Sequence, residues 1–120
     1  MHSLDTLFLD RDGVINVKLE ARYVRNSNEF EFMQGALVAI SKLSKLFKRI
    51  LIVTNQQGIG KGIMTEDDLN LLHSFMTSEI GKLNGKIDKI YFSPHLDTEN
   101  CNCRKPNPGM INQAIADFPE

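Results

Sequence analysis

The sequence predicts an α/β fold in which a parallel sheet is flanked by helices. Three short apolar runs alternate with segments whose apolar residues recur at helical spacing, and one more helical segment ends the chain. Such an alternation gives a parallel sheet with right-handed crossover connections. The 120 residues, 42% of them apolar, suit a single domain over residues 1–120 with its own core.

The overall charge excludes several classes of partner. Charged residues make up 24% of the chain and the formal net charge is −1, which argues against a general affinity for nucleic acid or for anionic membranes. No apolar run approaches the roughly 18 residues of a membrane span. Residues 1–5 show no export signal, so we expect a cytoplasmic protein.

The first predicted strand covers residues 6–9, a largely apolar run that suits a strand buried on both faces of the sheet. It leads directly into the acidic turn D-R-D-G at residues 10–13. Residues 14–32 are mixed in character, and residues 23–24 and 30–32 are candidates for short strands or for segments of a flap over the site.

A helix is predicted to begin at Gly35, after which apolar residues recur at helical spacing. They are Ala36, Leu37, Ile40, Leu43 and Phe47. The second strand, residues 49–55, is an uninterrupted run rich in β-branched residues. A glycine-rich loop, residues 56–62, follows it.

The next helix is predicted to begin at Thr65, a capping hydroxyl followed by three acidic residues near the positive end of the helix dipole. Its apolar face consists of Leu69, Leu72, Met76, Ile80 and Leu83. Gly85 closes the helix, and residues 89–92 form the third strand.

The last helix follows a long loop at residues 93–107. Asn107 and Pro108 predict its start, as a cap followed by proline at the first helical position. Its predicted buried side consists of Met110, Ile111, Ala114, Ile115 and Phe118.

Polar side chains follow each of the three predicted strands. Asp10 and Asp12 follow the first, Thr54 and Asn55 end the second, and Lys105 lies beyond the third. In open parallel sheets the site lies beyond the carboxyl ends of the strands, so we expect these groups to converge. One carboxylate can attack phosphorus while the other transfers protons. A lone D-x-D is more often a solvated turn, and the set of three strand ends favours the phosphatase interpretation.

Three segments carry a family resemblance. F-L-D-R-D-G-V-I-N, V-T-N-Q-Q-G and C-R-K-P resemble the first three motifs of the haloacid dehalogenase superfamily of phosphatases. Within it they resemble the branch of D-glycero-D-manno-heptose 1,7-bisphosphate and histidinol-phosphate phosphatases. The resemblance implies a Rossmann-like, three-layer α/β/α core with a parallel sheet.

The resemblance also implies a role for each matching residue. Asp10 would be the nucleophile and, with the backbone carbonyl of Asp12, a ligand of Mg²⁺. Asp12 would be the general acid and base. The residues that contact the phosphorylated substrate would be Thr54, Asn55, Arg104 and Lys105.

The branch carries a structural zinc site with the pattern C-x-H…C-x-C after the third strand. His95, Cys101 and Cys103 match that pattern, and Ser93 replaces the first cysteine. Structural zinc is usually held by four nitrogen or sulfur ligands, so serine is a poor substitute. Two alternatives stay open: a weaker Zn²⁺ site with water or Asp97 as fourth ligand, and a loop that keeps its shape without metal.

A second departure concerns the end of the chain. In this superfamily a fourth strand ends in an acidic motif that completes the Mg²⁺ site, and here only one helix follows Lys105. The sequence therefore predicts a chain that is truncated at the C-terminus. A three-stranded parallel sheet leaves an apolar edge, so we expect either that the chain is a fragment of a longer protein or that a partner or a second copy of the chain covers this edge.

The leading interpretation is a Mg²⁺-dependent phosphomonoester hydrolase that acts on a sugar phosphate of the heptose 1,7-bisphosphate type through an aspartyl-phosphate. Histidinol phosphate is the alternative substrate, because the short spacing between His95 and the cysteines fits that group too. A non-catalytic phosphate-binding or zinc-binding remnant is an alternative of another class. A P-loop at residues 58–62 is disfavoured, since Lys61 has neither the required spacing nor a following Ser or Thr.

Overall fold

The computed structural model describes residues 4–19, 23–93, 105 and 109–118. Strands and helices alternate along the chain, as the sequence predicts. In order they are β1 (Leu4–Leu9), α1 (Ala36–Leu46), β2 (Phe47–Asn55), α2 (Gln57–Gly60), α3 (Glu66–Lys82), β3 (Lys89–Ser93) and α4 (Gly109–Asp117).

The three strands form one parallel sheet in the order β1-β2-β3. In register, Leu7 of β1 lies opposite Ile50 of β2, and Val53 of β2 lies opposite Tyr91 of β3. The central strand β2 is buried from Ile50 to Thr54. Its uninterrupted apolar run follows from this position, because a central parallel strand is covered on both faces.

Alternate residues of β2 face two separate layers of helices. Ile52 belongs to a cluster with α1, α3 and the segment after β1, whose buried members are Ile15, Val24, Phe30, Ile40, Ile52, Leu72, Met76 and Ile80. Leu51 and Val53 belong to a second cluster with β3 and α4, whose members are Leu51, Val53, Tyr91, Met110 and Ala114. The predicted three-layer α/β/α arrangement is confirmed.

The first strand differs from its prediction. It begins at Leu4, and Phe8 is 37% exposed, so burial on both faces is wrong for this residue. The reason is position: among the described residues β1 pairs only with β2 and therefore forms an edge of the sheet. A covering partner for this edge stays a prediction.

Three further features between β1 and α3 differ from the sequence prediction. Phe47 is not helical, because α1 ends at Leu46 and Phe47 adopts an extended backbone that begins β2. Residues 23–24 form no strand, whereas Phe32 makes an isolated antiparallel bridge with Asn16. The glycine-rich loop contains the short helix α2, which the sequence did not predict.

The predicted start of α3 is confirmed in detail. The backbone N–H of Asp68 donates to Thr65 Oγ1 (3.0 Å), and the N–H of Thr65 donates to Asp68 Oδ2 (2.9 Å). This reciprocal capping box satisfies two backbone donors that a helix start otherwise leaves unpaired. The helix then buries Leu69, Leu72, Met76 and Ile80, while Leu83 lies past its end and is exposed.

The last helix buries less than predicted. Met110 and Ala114 are buried against β2 and β3, and Phe118 packs beside them. Ile111 and Ile115 are exposed, so their predicted burial is wrong, because the helix contacts the sheet along a narrower stripe. Within the part of the chain described, no helix combines the length and hydrophobicity needed to cross a membrane.

Candidate active site

The residues predicted to act together line a single cavity of about 270 Å³ at the carboxyl edge of the sheet. Predicted members of its wall are Asp10, Asp12, Thr54, Asn55 and Lys105. Other members are Lys18, Leu19, Tyr23, Val24 and Gln57. Arg104, His95, Cys101 and Cys103 lie outside the described residues, so their predicted roles stay predictions.

A tight turn after β1 directs the two aspartates. The carbonyl of Arg11 accepts from the N–H groups of Ile15 (2.8 Å) and Asn16 (3.2 Å), and the N–H of Gly13 donates to the carbonyl of Asn16 (2.8 Å). Gly13 has a φ of 87°, a conformation in which a residue with a Cβ is strained. The glycine thus permits a turn that leaves Asp10 and Asp12 on the cavity wall and buries Arg11 completely.

Asp10 and Lys105 form an ion pair across the cavity. Lys105 Nζ lies 3.0 Å from Asp10 Oδ1, which also accepts a hydrogen bond from the backbone N–H of Arg11 (2.7 Å). The ammonium group is fixed from its other side by the carbonyl of Val53, 3.0 Å away. Asp10 Oδ2 accepts no hydrogen bond from any described residue. Within the described ranges, one carboxylate oxygen of Asp10 is therefore held by two donors and the other by none.

Four hydrogen bonds from described residues hold the Asp12 carboxylate. Its Oδ1 accepts from Arg11 Nη2 (2.7 Å), Arg11 Nε (3.2 Å) and Asn16 Nδ2 (3.0 Å), and its Oδ2 accepts from Gln56 Nε2 (3.0 Å). Burial favours the neutral form, but the Arg11 charge and these hydrogen bonds outweigh it, so the pKa of Asp12 lies below its ordinary value. Asp12 is consequently a carboxylate, and a proton acceptor, in the free protein.

Gln56 is a site residue that the sequence reasoning missed. It is 1% exposed, and its Nε2 donates both to Asp12 Oδ2 and to Thr54 Oγ1 (2.9 Å). Because this amide nitrogen only donates, Thr54 Oγ1 accepts, and the Thr54 hydroxyl hydrogen remains for another acceptor such as a phosphate oxygen. The available signal was the place of Gln56 inside V-T-N-Q-Q-G, directly after Thr54 and Asn55.

Asp10 and Asp12 both line the cavity and are the predicted Mg²⁺ ligands, Asp10 through its carboxylate and Asp12 through its backbone carbonyl. Mg²⁺ often binds one or two carboxylates with water and substrate phosphate, so the Asp10 carboxylate is a ligand type that suits it. The described residues contain no cluster of three or more His, Cys, Asp or Glu that would suit another metal. Ser93, the substitute in the zinc pattern, is the buried last residue of β3, and its carbonyl accepts from the N–H of Gln56 (2.8 Å).

Comparison with known proteins gives consistent results. The family profile described as "Polynucleotide kinase 3 phosphatase" matches residues 6–120. D-glycero-alpha-D-manno-heptose-1,7-bisphosphate 7-phosphatase of Mycobacterium tuberculosis is 40% identical over 114 residues, which cover 95% of this chain and 60% of the relative. The D-glycero-beta-D-manno-heptose-1,7-bisphosphate 7-phosphatase of Neisseria meningitidis is 38% identical over 112 residues, which cover 93% and 59%.

A solved structure shares the fold closely. The D,D-heptose 1,7-bisphosphate phosphatase of B. bronchiseptica, in complex with magnesium and phosphate, superposes with a TM-score of 0.91 at 31% identity. The match covers 98% of this chain and 65% of that one. This chain therefore spans about 60% of the length of the curated relatives that it matches.

Proposed function

Because the chain belongs to the haloacid dehalogenase superfamily, in the family described as polynucleotide kinase 3 phosphatase, we propose that it is the nucleophile-bearing domain of a Mg²⁺-dependent sugar-phosphate phosphatase. In this proposal residues 1–120 act as one domain. The observation that carries the proposal is the meeting of Asp10, Asp12, Thr54 and Lys105 around one cavity.

The first step transfers the phosphoryl group to Asp10. Asp10 Oδ2 attacks phosphorus, the bond between phosphorus and the sugar oxygen breaks, and Asp12, protonated once the substrate anion is bound beside it, gives its proton to the leaving oxygen. Lys105, 3.0 Å from Asp10 Oδ1, neutralises charge at the attacking carboxylate, and the Thr54 hydroxyl donates to a phosphoryl oxygen. The product is an aspartyl-phosphate and a free sugar hydroxyl.

The second step restores the enzyme. Asp12, now a carboxylate, takes a proton from water, the water oxygen attacks phosphorus, and the bond between Asp10 and phosphorus breaks to release inorganic phosphate. The lowered pKa of Asp12 in the free protein favours the carboxylate form, which is the form that can accept a proton from water. When bound by Asp10 and the Asp12 carbonyl, Mg²⁺ supplies positive charge that reduces the repulsion between carboxylate and phosphate.

The substrate class rests on the relatives and on the size of the cavity. The relatives above are named for heptose 1,7-bisphosphates, of the alpha anomer in one case and the beta anomer in the other, which supports a heptose bisphosphate over histidinol phosphate. A cavity of about 270 Å³ suits a small molecule. A net charge of −1 gives no general affinity for the polynucleotide in the family's description.

Phosphate release by this chain with Mg²⁺ tests the proposal. The substrates to compare are heptose 1,7-bisphosphate of each anomer, histidinol phosphate and a 3′-phosphorylated oligonucleotide. We expect the largest kcat/KM for one heptose bisphosphate anomer and loss of turnover with EDTA. Equal rates on all substrates would contradict the substrate class. Phosphate binding by ³¹P NMR with no turnover on any of them would instead favour the non-catalytic alternative.

A further inference from the structure

The guanidinium of Arg11 determines how Asp12 is oriented. Arg11 is fully buried, and its Nε and Nη2 both donate to Asp12 Oδ1, at 3.2 and 2.7 Å. Two charge-assisted donors from one planar group fix the position of this oxygen, and the Gln56 amide, which donates to Oδ2, then fixes the direction of the carboxylate. Any group that fixes this guanidinium therefore also fixes Asp12.

His73 is in contact with that guanidinium. Its Nε2 lies 3.1 Å from Arg11 Nη1, although the two residues are 62 positions apart. A guanidinium has donors only, so His73 Nε2 accepts and the ring carries its hydrogen on Nδ1. Burial first, and the charge of Arg11 second, lower the pKa of His73 to about 4, and the ring therefore stays neutral at pH 7.

The helix that carries His73 is well anchored. His73 lies inside α3, on the same side as Leu69, Leu72, Met76 and Ile80, all of which are buried. The capping box of Thr65 and Asp68 fixes the helix start. A side chain on such a helix gives the buried guanidinium a fixed acceptor from outside the catalytic turn.

We propose, building on the function proposed above, that His73 is a positioning residue, which holds Arg11 so that Asp12 Oδ2 is left to exchange the transferred proton. Three donors occupy Asp12 Oδ1, whereas Oδ2 accepts only the Gln56 amide within the part of the chain described. Without the His73 acceptor, Arg11 Nη1 loses a buried partner, the guanidinium turns, and Asp12 Oδ1 loses its fixed donors. The effect falls on proton transfer, because Lys105 and Thr54 keep their places.

Three variants distinguish a positioning role of His73 in catalysis from a contribution to the stability of the fold alone. His73→Leu places an apolar side chain in the core and removes the acceptor, and we expect kcat to fall roughly 10- to 100-fold with KM within about 2-fold. His73→Gln offers Oε1 as an acceptor at a similar reach, so it restores most of kcat. Ile80→Val, seven positions further along α3, loses packing without contacting Arg11, and we expect its kcat to stay near that of the unmodified chain.

A second readout needs no turnover. ¹⁵N NMR of the unmodified chain should show His73 as the Nδ1–H tautomer and slowly exchanging Arg11 guanidinium N–H resonances. These resonances should broaden in His73→Leu and persist in His73→Gln and Ile80→Val. Persistent resonances in His73→Leu, or a His73→Leu kcat equal to that of Ile80→Val in an active chain, would overturn the proposal. Absence of turnover in the unmodified chain would contradict the proposed function, and the NMR result would still decide whether His73 holds Arg11.

Discussion

Asn55 and Lys105, which are 50 positions apart, are joined by a reciprocal pair of hydrogen bonds. Asn55 Nδ2 donates to the carbonyl of Lys105 (3.1 Å), and the backbone N–H of Lys105 donates to Asn55 Oδ1 (2.9 Å). The side chain at the end of β2 thus fixes the backbone of a residue that lies beyond β3. This pair places the Lys105 ammonium group 3.0 Å from Asp10.

Removing the Asn55 side chain should therefore release Lys105. We expect Asn55→Ala to lower kcat/KM roughly 10- to 100-fold, because a displaced ammonium no longer neutralises the attacking carboxylate. Loss of two hydrogen bonds should cost about 2 kcal/mol of unfolding free energy, measured by urea denaturation. Asn70→Ala, at an exposed position of α3, is the control; it should leave kcat/KM unchanged and should not lower the unfolding free energy, because alanine favours a helix more than asparagine does. Equal kcat/KM values for Asn55→Ala and Asn70→Ala would show that the two hydrogen bonds of Asn55 do not hold Lys105 in place.

Asp10→Asn should remove turnover while the fold is retained. The amide is a very poor nucleophile, so we expect kcat to fall at least about 10³-fold. The amide oxygen can still accept from the Arg11 N–H and from Lys105 Nζ, as Oδ1 does now. Circular dichroism and phosphate release measure the two effects. The control is Asp67→Asn in the exposed first turn of α3, and an Asp10→Asn rate close to the control's would exclude Asp10 as nucleophile.

Gln56→Met tests the link between Asp12 and Thr54. A sulfur atom cannot donate, so Asp12 Oδ2 and Thr54 Oγ1 each lose a partner. Hydrogen bonds to charged groups contribute about 1.5–3 kcal/mol, and we expect a loss of about 2 kcal/mol in unfolding free energy with a kcat lower by roughly 10-fold. Gln34→Met at an exposed position is the control. An unchanged kcat in Gln56→Met would mean that Gln56 is only a packing residue.

The sequence predicts the strand ends that form the cavity better than it predicts the buried side chains beneath the cavity. Strand ends can be predicted because apolar runs finish at polar residues. Asp10, Thr54 and Lys105 meet beyond the carboxyl ends of the strands, where sites of open parallel sheets lie. The start of α3 can be predicted because a helix cap depends on residues that are close in sequence, and Thr65 caps the helix as predicted. The exposure of Phe8 could not be predicted in this way, because it depends on the order of the strands in the sheet and not on the residues of β1 itself.

The buried polar network beneath Asp12 was not predictable from local pattern. Arg11 lies inside D-R-D-G and Gln56 inside V-T-N-Q-Q-G, but neither segment indicates which way the side chain of Arg11 or Gln56 points. His73 lies on an apolar helix face where a histidine is more often a core residue than a site residue. Its contact with Arg11 joins residues 62 positions apart, and a single sequence does not show which distant residues are in contact.

Stability should depend on pH through His73. Its pKa is lowered to about 4 in the folded chain, against 6.5 for the unperturbed group, so between these values the unfolded chain binds a proton that the folded chain does not. Stability should therefore decrease as pH falls from about 6.5 to 4, by up to about 1.4 kcal/mol per pH unit. Urea denaturation across this range measures the slope.

His73→Gln provides the comparison for that slope. It keeps an acceptor for Arg11 and does not titrate, while every other ionisable group is shared with the unmodified chain. We expect the difference in unfolding free energy between the two proteins to change with pH in this window and to level off above pH 7. A difference that is constant from pH 4 to pH 7 would mean that His73 is not buried in its neutral form.

Tyr91 and Asp117 are not among the residues that line the cavity, and the Tyr91 hydroxyl should control the pKa of Asp117. Tyr91 Oη donates to Asp117 Oδ2 (2.6 Å), and Lys89 Nζ lies 2.9 Å from the same oxygen. The Tyr91 hydrogen bond, followed by that of Lys89, lowers the pKa of Asp117 to about 2, and its stabilising effect should be lost as pH falls from about 4 to about 2. We expect Tyr91→Phe to move this pKa back towards 3.8, as measured by ¹³C NMR of the carboxyl carbon.

Lys89→Met is the matched variant, because it removes the charged partner and leaves the hydroxyl. The Tyr91 hydrogen bond lowers the Asp117 pKa more than the Lys89 contact does, so Tyr91→Phe should raise it further than Lys89→Met. Burial and Asp117 together raise the pKa of Tyr91 to about 12, and the hydroxyl therefore keeps its hydrogen throughout the titration. A larger shift in Lys89→Met would show that charge, and not the donated hydrogen bond, holds Asp117 in its ionised form at the end of α4.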